Sequence, residues 1–349
     1  MAAPWTVYVG TYGPAERETL FRLEVDARGG LRVLEGLAGI ESPAFLALHP
    51  GGSPLYVASE RGGADGELWA LDRAASGRLT PRGRRPGHGR STCHVAVDGG
   101  GRMLLAANYG GPGIVGYPLE GDGGIGLPAV VLRHAGSGPH PRQRGPHPHS
   151  VNVAPSGRFV YVPDLGTDRV HGHRLDAAAG TLTPDDPGAA TAPGSGPRHL
   201  AFHPHLPCLY VAGELDSTVT VLPWDRGGGA LGAPVQRVST LPAGWEGRST
   251  AAHVQVHPSG TFLYASNRGH DSIAVFRIER DGRLAPAGHA ATGGPTPRHF
   301  ALSPDGTILL AGNQDGGAVV SFRVAAGGGL EPTGQRLELP KPVCILFAP

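Results

Sequence analysis

One pattern recurs along this chain at a spacing near fifty residues, and it closes on itself through the two ends. The stretches VYVGTY (7–12), LYVASE (55–60), LLAANY (104–109), VYVPDL (160–165), LYVAGE (209–214), LYASNR (263–268) and LLAGNQ (309–314) align. Taking Tyr8, Tyr56, Leu105, Tyr161, Tyr210, Tyr264 and Leu310 as equivalent, the intervals are 48, 49, 56, 49, 54 and 46 residues. From Leu310 through the C-terminus and round to Tyr8 is 47, one more period. A fixed spacing of this length marks a repeat architecture, and four short strands per unit point to a propeller.

A second stretch precedes each of these: FLALHP (45–50), HVAVDG (94–99), SVNVAP (150–155), HLAFHP (199–204), HVQVHP (253–258), HFALSP (299–304) and CILFAP (344–349). The last copy ends the chain, and its following strand is the orphan VYVGTY at the other end. Terminal strands that complete one sheet between them remove the edges an open array would expose. Outer strands are weaker signals: ELWALDRA (67–74), VHGHRLD (170–176), TVTVLPWD (218–225), SIAVFRIE (272–279) and AVVSFRVA (318–325). The expectation is an all-β chain, a single seven-bladed β-propeller over 1–349. A pair of β-sandwiches is the competing fold, and it does not account for an equal interval across the termini.

Composition agrees. The 349 residues include 57 Gly and 34 Pro, which interrupt every helical periodicity and suit many strands joined by tight turns. The formal net charge of +1 gives no global field toward nucleic acid or an anionic membrane. No apolar run approaches the ~20 residues of a membrane span. The N-terminus lacks a basic region followed by an apolar stretch, so no secretory signal is read there. Cys93, Cys208 and Cys344 lie far apart with no CxxC pair, as in reduced structural thiols of a cytoplasmic protein. The expected partner is a small anionic molecule, with no nucleic acid, no membrane, no cofactor and a monomeric or weakly homo-oligomeric chain.

In a propeller sheet the loops before the first strand and after the second open on one face. The turns PSG (155–157), PSG (258–260) and PDG (304–306) belong to the other face and are chemically bland. The first face collects two columns. At the starts of first strands stand His94, His149, Arg198, His199, His253, Arg298 and His299; at the ends of second strands stand Asn108, Asp164, Glu214, Asn267, Arg268, Asn313 and Gln314. The repeated Pro-Arg-His of 197–199 and 297–299 is thus expected to put Arg and His from two blades on the rim of a shared anion pocket. A His at a strand start often just satisfies a backbone group, and a lone Arg on a loop is usually solvated; it is their gathering on one rim that argues for function.

The segment 134–150, HAGSGPHPRQRGPHPHS, is the longest interruption and suits a substrate loop. Its His140, His147 and His149 lack the spacing of a zinc motif, so no metal is assigned.

With these residues in view, the chain resembles the propeller-type lactonase family, which holds bacterial 6-phosphogluconolactonases and carboxy-cis,cis-muconate cyclases. The matching stretches are YVGTY (8–12), 141–170, GPRHLAFHP (196–204), GELDSTV (213–219), 257–276 and 296–314. The resemblance implies metal-free hydrolysis of 6-phospho-D-glucono-1,5-lactone, in the pentose phosphate pathway. It implies His149, Arg198, Glu214 and Arg268 as the catalytic set, with Arg298 and Gln143 as additions. His199, His253, His299, Asn108 and Gln314 complete the expected substrate-binding set. One departure stands out: the family usually has Glu where this chain has His253.

No GxSxG elbow is present and no cysteine lies in a basic or polar stretch, so water rather than a side chain is the expected nucleophile. Glu214 or His149 would be its general base, and Arg198 or Arg268 would hold the oxyanion. Two alternatives use the same parts differently: a cycloisomerase that lactonizes a carboxylated muconate, and a non-enzymatic propeller that binds proteins. The second lacks support from aromatic content, which is 6%.

Overall fold

The computed structural model describes residues 3–62, 64–111, 113–184 and 188–348. Every regular element among them is a β-strand, and the strands assemble into seven antiparallel sheets, six of four strands and one of five. The architecture is the seven-bladed β-propeller that the period predicts.

Two compact units divide the chain. The first comprises 1–40, 199–223 and 234–349, and the second 41–198 and 224–233. In the first unit, strand Trp5–Thr11 pairs on one side with Leu20–Val25 and on the other with Pro342–Ala348, so the ends of the chain share a sheet. Tyr8 lies opposite Leu346 and Gly10 opposite Cys344. The other strands of this unit follow the sequence in simple meanders, and the outer strands expected from weak signals are present at Thr218–Pro223, Ser272–Ile278 and Ala318–Val324.

In the second unit, the sheets run through Pro43–Arg90, Thr92–Arg133 and Asn152–Ala190, with outer strands at Asp65–Arg73 and Arg169–Asp176. The stretch after Val130–Arg133 holds no strand until Asn152, as the long interval requires.

Most second strands are buried along their whole length. Met103–Asn108, Phe159–Asp164, Cys208–Gly213 and Ile308–Asn313 have no exposed position. A strand covered on both faces reads as a continuous apolar run rather than an alternating one, which is why these stretches give the clearest repeat. Apolar layers fill the gaps between neighbouring sheets, as where Tyr210, Val219 and Val221 meet Val254, Leu263 and Phe276.

The aligned tyrosines have a purpose in this packing. Four of the hydroxyls donate to the carbonyl of a glycine in the outer turn of the following sheet: Tyr56 to Gly123 (2.7 Å) and Tyr161 to Gly229 (2.6 Å) in the second unit, Tyr210 to Gly282 (3.0 Å) and Tyr264 to Gly328 (2.8 Å) in the first. These four glycines have φ between 82° and 84°, or 80° at Gly328, a conformation that L side chains rarely adopt. Where the aligned position is Leu310, the outer-strand Ser321 donates to Gly29 instead (2.7 Å).

A second latch lies at the opposite ends of the strands. The His of the His-Pro pair that ends a first strand reaches the glycine carbonyl of the next sheet's turn in three sheets: His49 to Gly101 (3.2 Å), His203 to Gly260 (2.9 Å) and His257 to Gly306 (3.1 Å). A Cβ on Gly101 would stand 2.3 Å from Nε2 of His49. The His-Pro repeats are therefore structural.

Candidate active site

In the first unit, Glu214 follows directly on the buried strand Cys208–Gly213 and opens a turn closed by Ser217, whose φ is 52°. Its side chain is 3% exposed, and Oε2 lies 3.0 Å from Nη2 of Arg268. Arg268 is the last residue of Phe262–Arg268 and lies opposite Thr250 in the ladder; the same Nη2 donates to the Ala251 carbonyl at 3.1 Å. Two neighbouring second strands thus deliver a carboxylate and a guanidinium to one point. A pair this dry holds its geometry, because removing either partner leaves an uncompensated buried charge.

Below the same turn, Asp216 accepts from Thr218 (2.7 Å) and from Arg237 (2.6 Å). Burial raises its carboxyl above the usual carboxylate range against these two donors.

Three first-strand histidines of this unit form a row. Nδ1 of His199 lies 2.9 Å from Nδ1 of His253. The His253 ring stacks on His299 with centroids 4.0 Å apart. His299 in turn accepts the Ile345 amide at Nδ1 (3.2 Å). His253 is also backed by Phe300, 4.9 Å away. His253 thus makes an imidazole–imidazole contact with His199. Arg298 lies over the Tyr12 ring, 5.3 Å from its centroid. Gln314 donates to the carboxylate of Asp315 (3.1 Å).

In the second unit, His149 is 5% exposed and has two neighbours that periodicity does not reveal. Sγ of Cys93 lies 3.9 Å from its Nδ1 and 3.3 Å from its carbonyl oxygen, and the Tyr109 ring meets it edge-on at 5.1 Å. The expectation that no cysteine has a polar or basic neighbourhood fails here. Residues 56 apart are brought together because Cys93 and His149 start the first strands of adjacent sheets, a relation that local composition does not register. Arg198 is 2% exposed, and its carbonyl accepts from Ser150 (2.9 Å).

Two expected binding residues of this unit are embedded in the scaffold. Asn108 is 1% exposed; its amide donates to the Gly87 carbonyl (2.9 Å) and its oxygen accepts from Thr92 (2.6 Å). Gln143 is fully buried, donating to Leu165 (2.8 Å) and Asp168 (2.7 Å) and accepting from the His140 amide (2.9 Å). His94 stacks on Phe45 at 3.9 Å and accepts the Val151 amide (3.4 Å), the bland role that a strand-start histidine often has.

Chemically, the first unit offers a dry carboxylate beside a guanidinium, together with a row of imidazoles able to hold and pass protons. The second offers an imidazole flanked by a thiol and a phenol ring.

Comparison with known proteins identifies the family. The family model described as "Lactonase, 7-bladed beta-propeller" matches residues 6–347. A 6-phosphogluconolactonase of Bacillus subtilis is 34% identical over 293 residues, 83% of this chain and 82% of that protein. A 6-phosphogluconolactonase of Pectobacterium carotovorum is 31% identical over 289 residues, 82% of this chain and 81% of the relative. Among solved structures, a protein described as a periplasmic gluconolactonase of Pseudomonas aeruginosa superposes with a TM-score of 0.93 at 29% identity, covering 99% of each chain. Sheet count, terminal closure and sequence thus converge, and the chain belongs to the lactonase family of seven-bladed β-propellers, enzymes of the carboxylic ester hydrolase kind.

Proposed function

We propose that this chain hydrolyses 6-phospho-D-glucono-1,5-lactone to 6-phosphogluconate, with water activated by a side-chain base. The single observation that carries the reading is the buried Glu214–Arg268 pair at 3.0 Å. In this reading Glu214 takes a proton from water as it attacks the lactone carbonyl, a contribution typically worth about 100- to 10,000-fold. Arg268 pairs with Glu214 and aims it, and its guanidinium faces the negative charge that develops on the carbonyl oxygen. One such donor is typically worth about 3 kcal/mol. The ring oxygen then leaves as the alkoxide and takes the proton back, opening the ring to the hydroxy acid.

The phosphorylated substrate is supported by the names of the Bacillus and Pectobacterium relatives. Arginine suits a phosphate because its planar fork matches two oxygens at once. The family resemblance also assigns His149 and Arg198 to the catalytic set, as residues whose substitution lowers turnover. A cytoplasmic enzyme is the reading favoured by three buried cysteines with no disulfide among them.

The test is the enzyme-dependent rate of hydrolysis of the phosphorylated lactone and of unphosphorylated gluconolactone by the wild type, Glu214→Gln and Arg198→Ala. The reading requires a large loss of kcat in Glu214→Gln and a preference for the phosphorylated lactone. Wild-type rates in both variants would remove these residues from the mechanism.

A further inference from the structure

Outside the residues considered so far, the second unit gathers a set of histidines around one carboxylate. His171 and His173 stand two apart on strand Arg169–Asp176 and so point to the same face of their sheet. Val162 lies opposite His171 in the ladder, so Asp164, two residues on, shares that face. His134 comes from the neighbouring sheet, one residue beyond strand Val130–Arg133. The cluster thus caps the apolar layer in which Val130, Leu132, Val160 and Val162 pack together.

A ring nitrogen of His134, a ring nitrogen of His171 and a carboxylate oxygen of Asp164 all lie within 4.8 Å of one another. Nδ1 of His134 is 2.7 Å from Oδ2 of Asp164, and Nε2 of His171 is 4.0 Å from the same oxygen. The other carboxylate oxygen of Asp164 is fixed by the amides of His147 (2.7 Å) and Gly166 (3.0 Å). The His134 side chain is 3% exposed and its Nε2 has no hydrogen-bond partner among the described residues. His173 is 4% exposed, with neither ring nitrogen bonded among the described residues, and its ring lies parallel to His134 at 5.7 Å. A cation held between the facing ring nitrogens and the Asp164 carboxylate would offset the cost of burying these polar groups together.

We infer that His134, Asp164 and His171 form a binding site for a borderline divalent transition-metal ion, zinc first among them, with His173 at its edge. Two or three imidazoles and one carboxylate are the donor set such ions favour, whereas magnesium and calcium prefer oxygen alone. With a zinc–nitrogen bond of about 2.0–2.1 Å, tetrahedral ligands sit about 3.4 Å apart, so modest side-chain rotation closes the set. His171, at 21% side-chain exposure, is the way in from solvent. The ion would tie the outer strand of one sheet to two strands of the next. It takes no part in the lactone chemistry and is independent of that reading.

The test uses the full chain after chelator treatment and dialysis. Titration with Co(II) is followed by visible absorption and titration with Zn(II) by calorimetry and thermal melting, with Mg(II) as control. The inference requires uptake of one equivalent of Zn(II), an intense tetrahedral Co(II) band, a rise in Tm with Zn(II) and none with Mg(II). In His171→Gln, chosen because Thr167 Oγ1 lies 3.1 Å from His171 Nε2 and Gln can still bond it, and in His134→Gln, the stoichiometric uptake and the Co(II) band are lost while circular dichroism is retained. Absence of one-equivalent uptake by the wild type overturns the inference. So does uptake that survives in both variants, which would assign the metal to other histidines.

Discussion

Nδ1 of His199 and Nδ1 of His253 are 2.9 Å apart, close enough to share a proton but not to hold two. One ring must donate while the other accepts, so the contact holds only while the two nitrogens share one proton. His253→Gln keeps a side chain able to exchange a hydrogen bond with His199, whereas His253→Ala removes it. His253→Ala should therefore cost about 1–3 kcal/mol in urea unfolding, and His253→Gln less. Equal losses in the two variants would show that the shared hydrogen bond does not hold the row together.

The Glu214–Arg268 pair makes a prediction about stability that is separate from activity. Arg268→Ala leaves a carboxylate at 3% exposure without its ion-pair partner, a loss of about 3–5 kcal/mol for buried pairs. Neutralising the carboxylate as well should recover much of that. Chemical denaturation of Arg268→Ala, Glu214→Gln and the double variant measures the coupling. Simple additivity would show that the two side chains do not depend on each other.

The tyrosine latches can be tested one at a time. Tyr264→Phe removes only the hydroxyl that meets the Gly328 carbonyl at 2.8 Å, leaving a buried acceptor unsatisfied. The expected loss is about 1–3 kcal/mol in urea unfolding, with unchanged lactonase turnover. Leu310, at the equivalent position, has no hydroxyl to lose, so Leu310→Met should cost less than 1.5 kcal/mol or so.

Asp216 sets a pH dependence. Its folded-state carboxyl sits above the ordinary carboxylate value because burial outweighs Thr218 and Arg237. The folded chain then binds the proton more tightly than the unfolded chain. Stability from this group is highest in acid and falls as pH rises through the carboxylate range. Asp216→Asn, which keeps an acceptor for Arg237, should be more stable than wild type near neutral pH. That advantage should vanish below about pH 4, the ordinary carboxylate value. Thermal melts across this range give the answer.

The period was legible because it is written in second strands, which are apolar on both faces, and in the tyrosines that bond the next sheet. Direction was not. Asn108, Asn267 and Asn313 occupy the same column as Glu214 and Arg268, and spacing alone reads all five as lining a pocket. In the structure the asparagines anchor inter-strand loops instead: Asn267 exchanges hydrogen bonds with Thr240 (2.6 and 2.7 Å), and Asn313 donates to the Thr292 carbonyl (2.8 Å). Glu214 and Arg268 stand one position further along the repeat than the asparagines, where the side chain points the other way. The Cys93–His149 and His134–Asp164 contacts were equally hidden, since each joins residues of adjacent sheets whose one-dimensional neighbourhoods share nothing.

The pairing of Trp5–Thr11 with Pro342–Ala348 has a consequence for biosynthesis. Among the described strands Trp5–Thr11 is made first, and it must wait for Pro342–Ala348 before one of its sides is covered. Throughout translation it offers bare amides and carbonyls to any nascent neighbour. A chain released before residue 342 is left with that strand open along one side, so premature termination yields a sticky product rather than a slightly smaller enzyme.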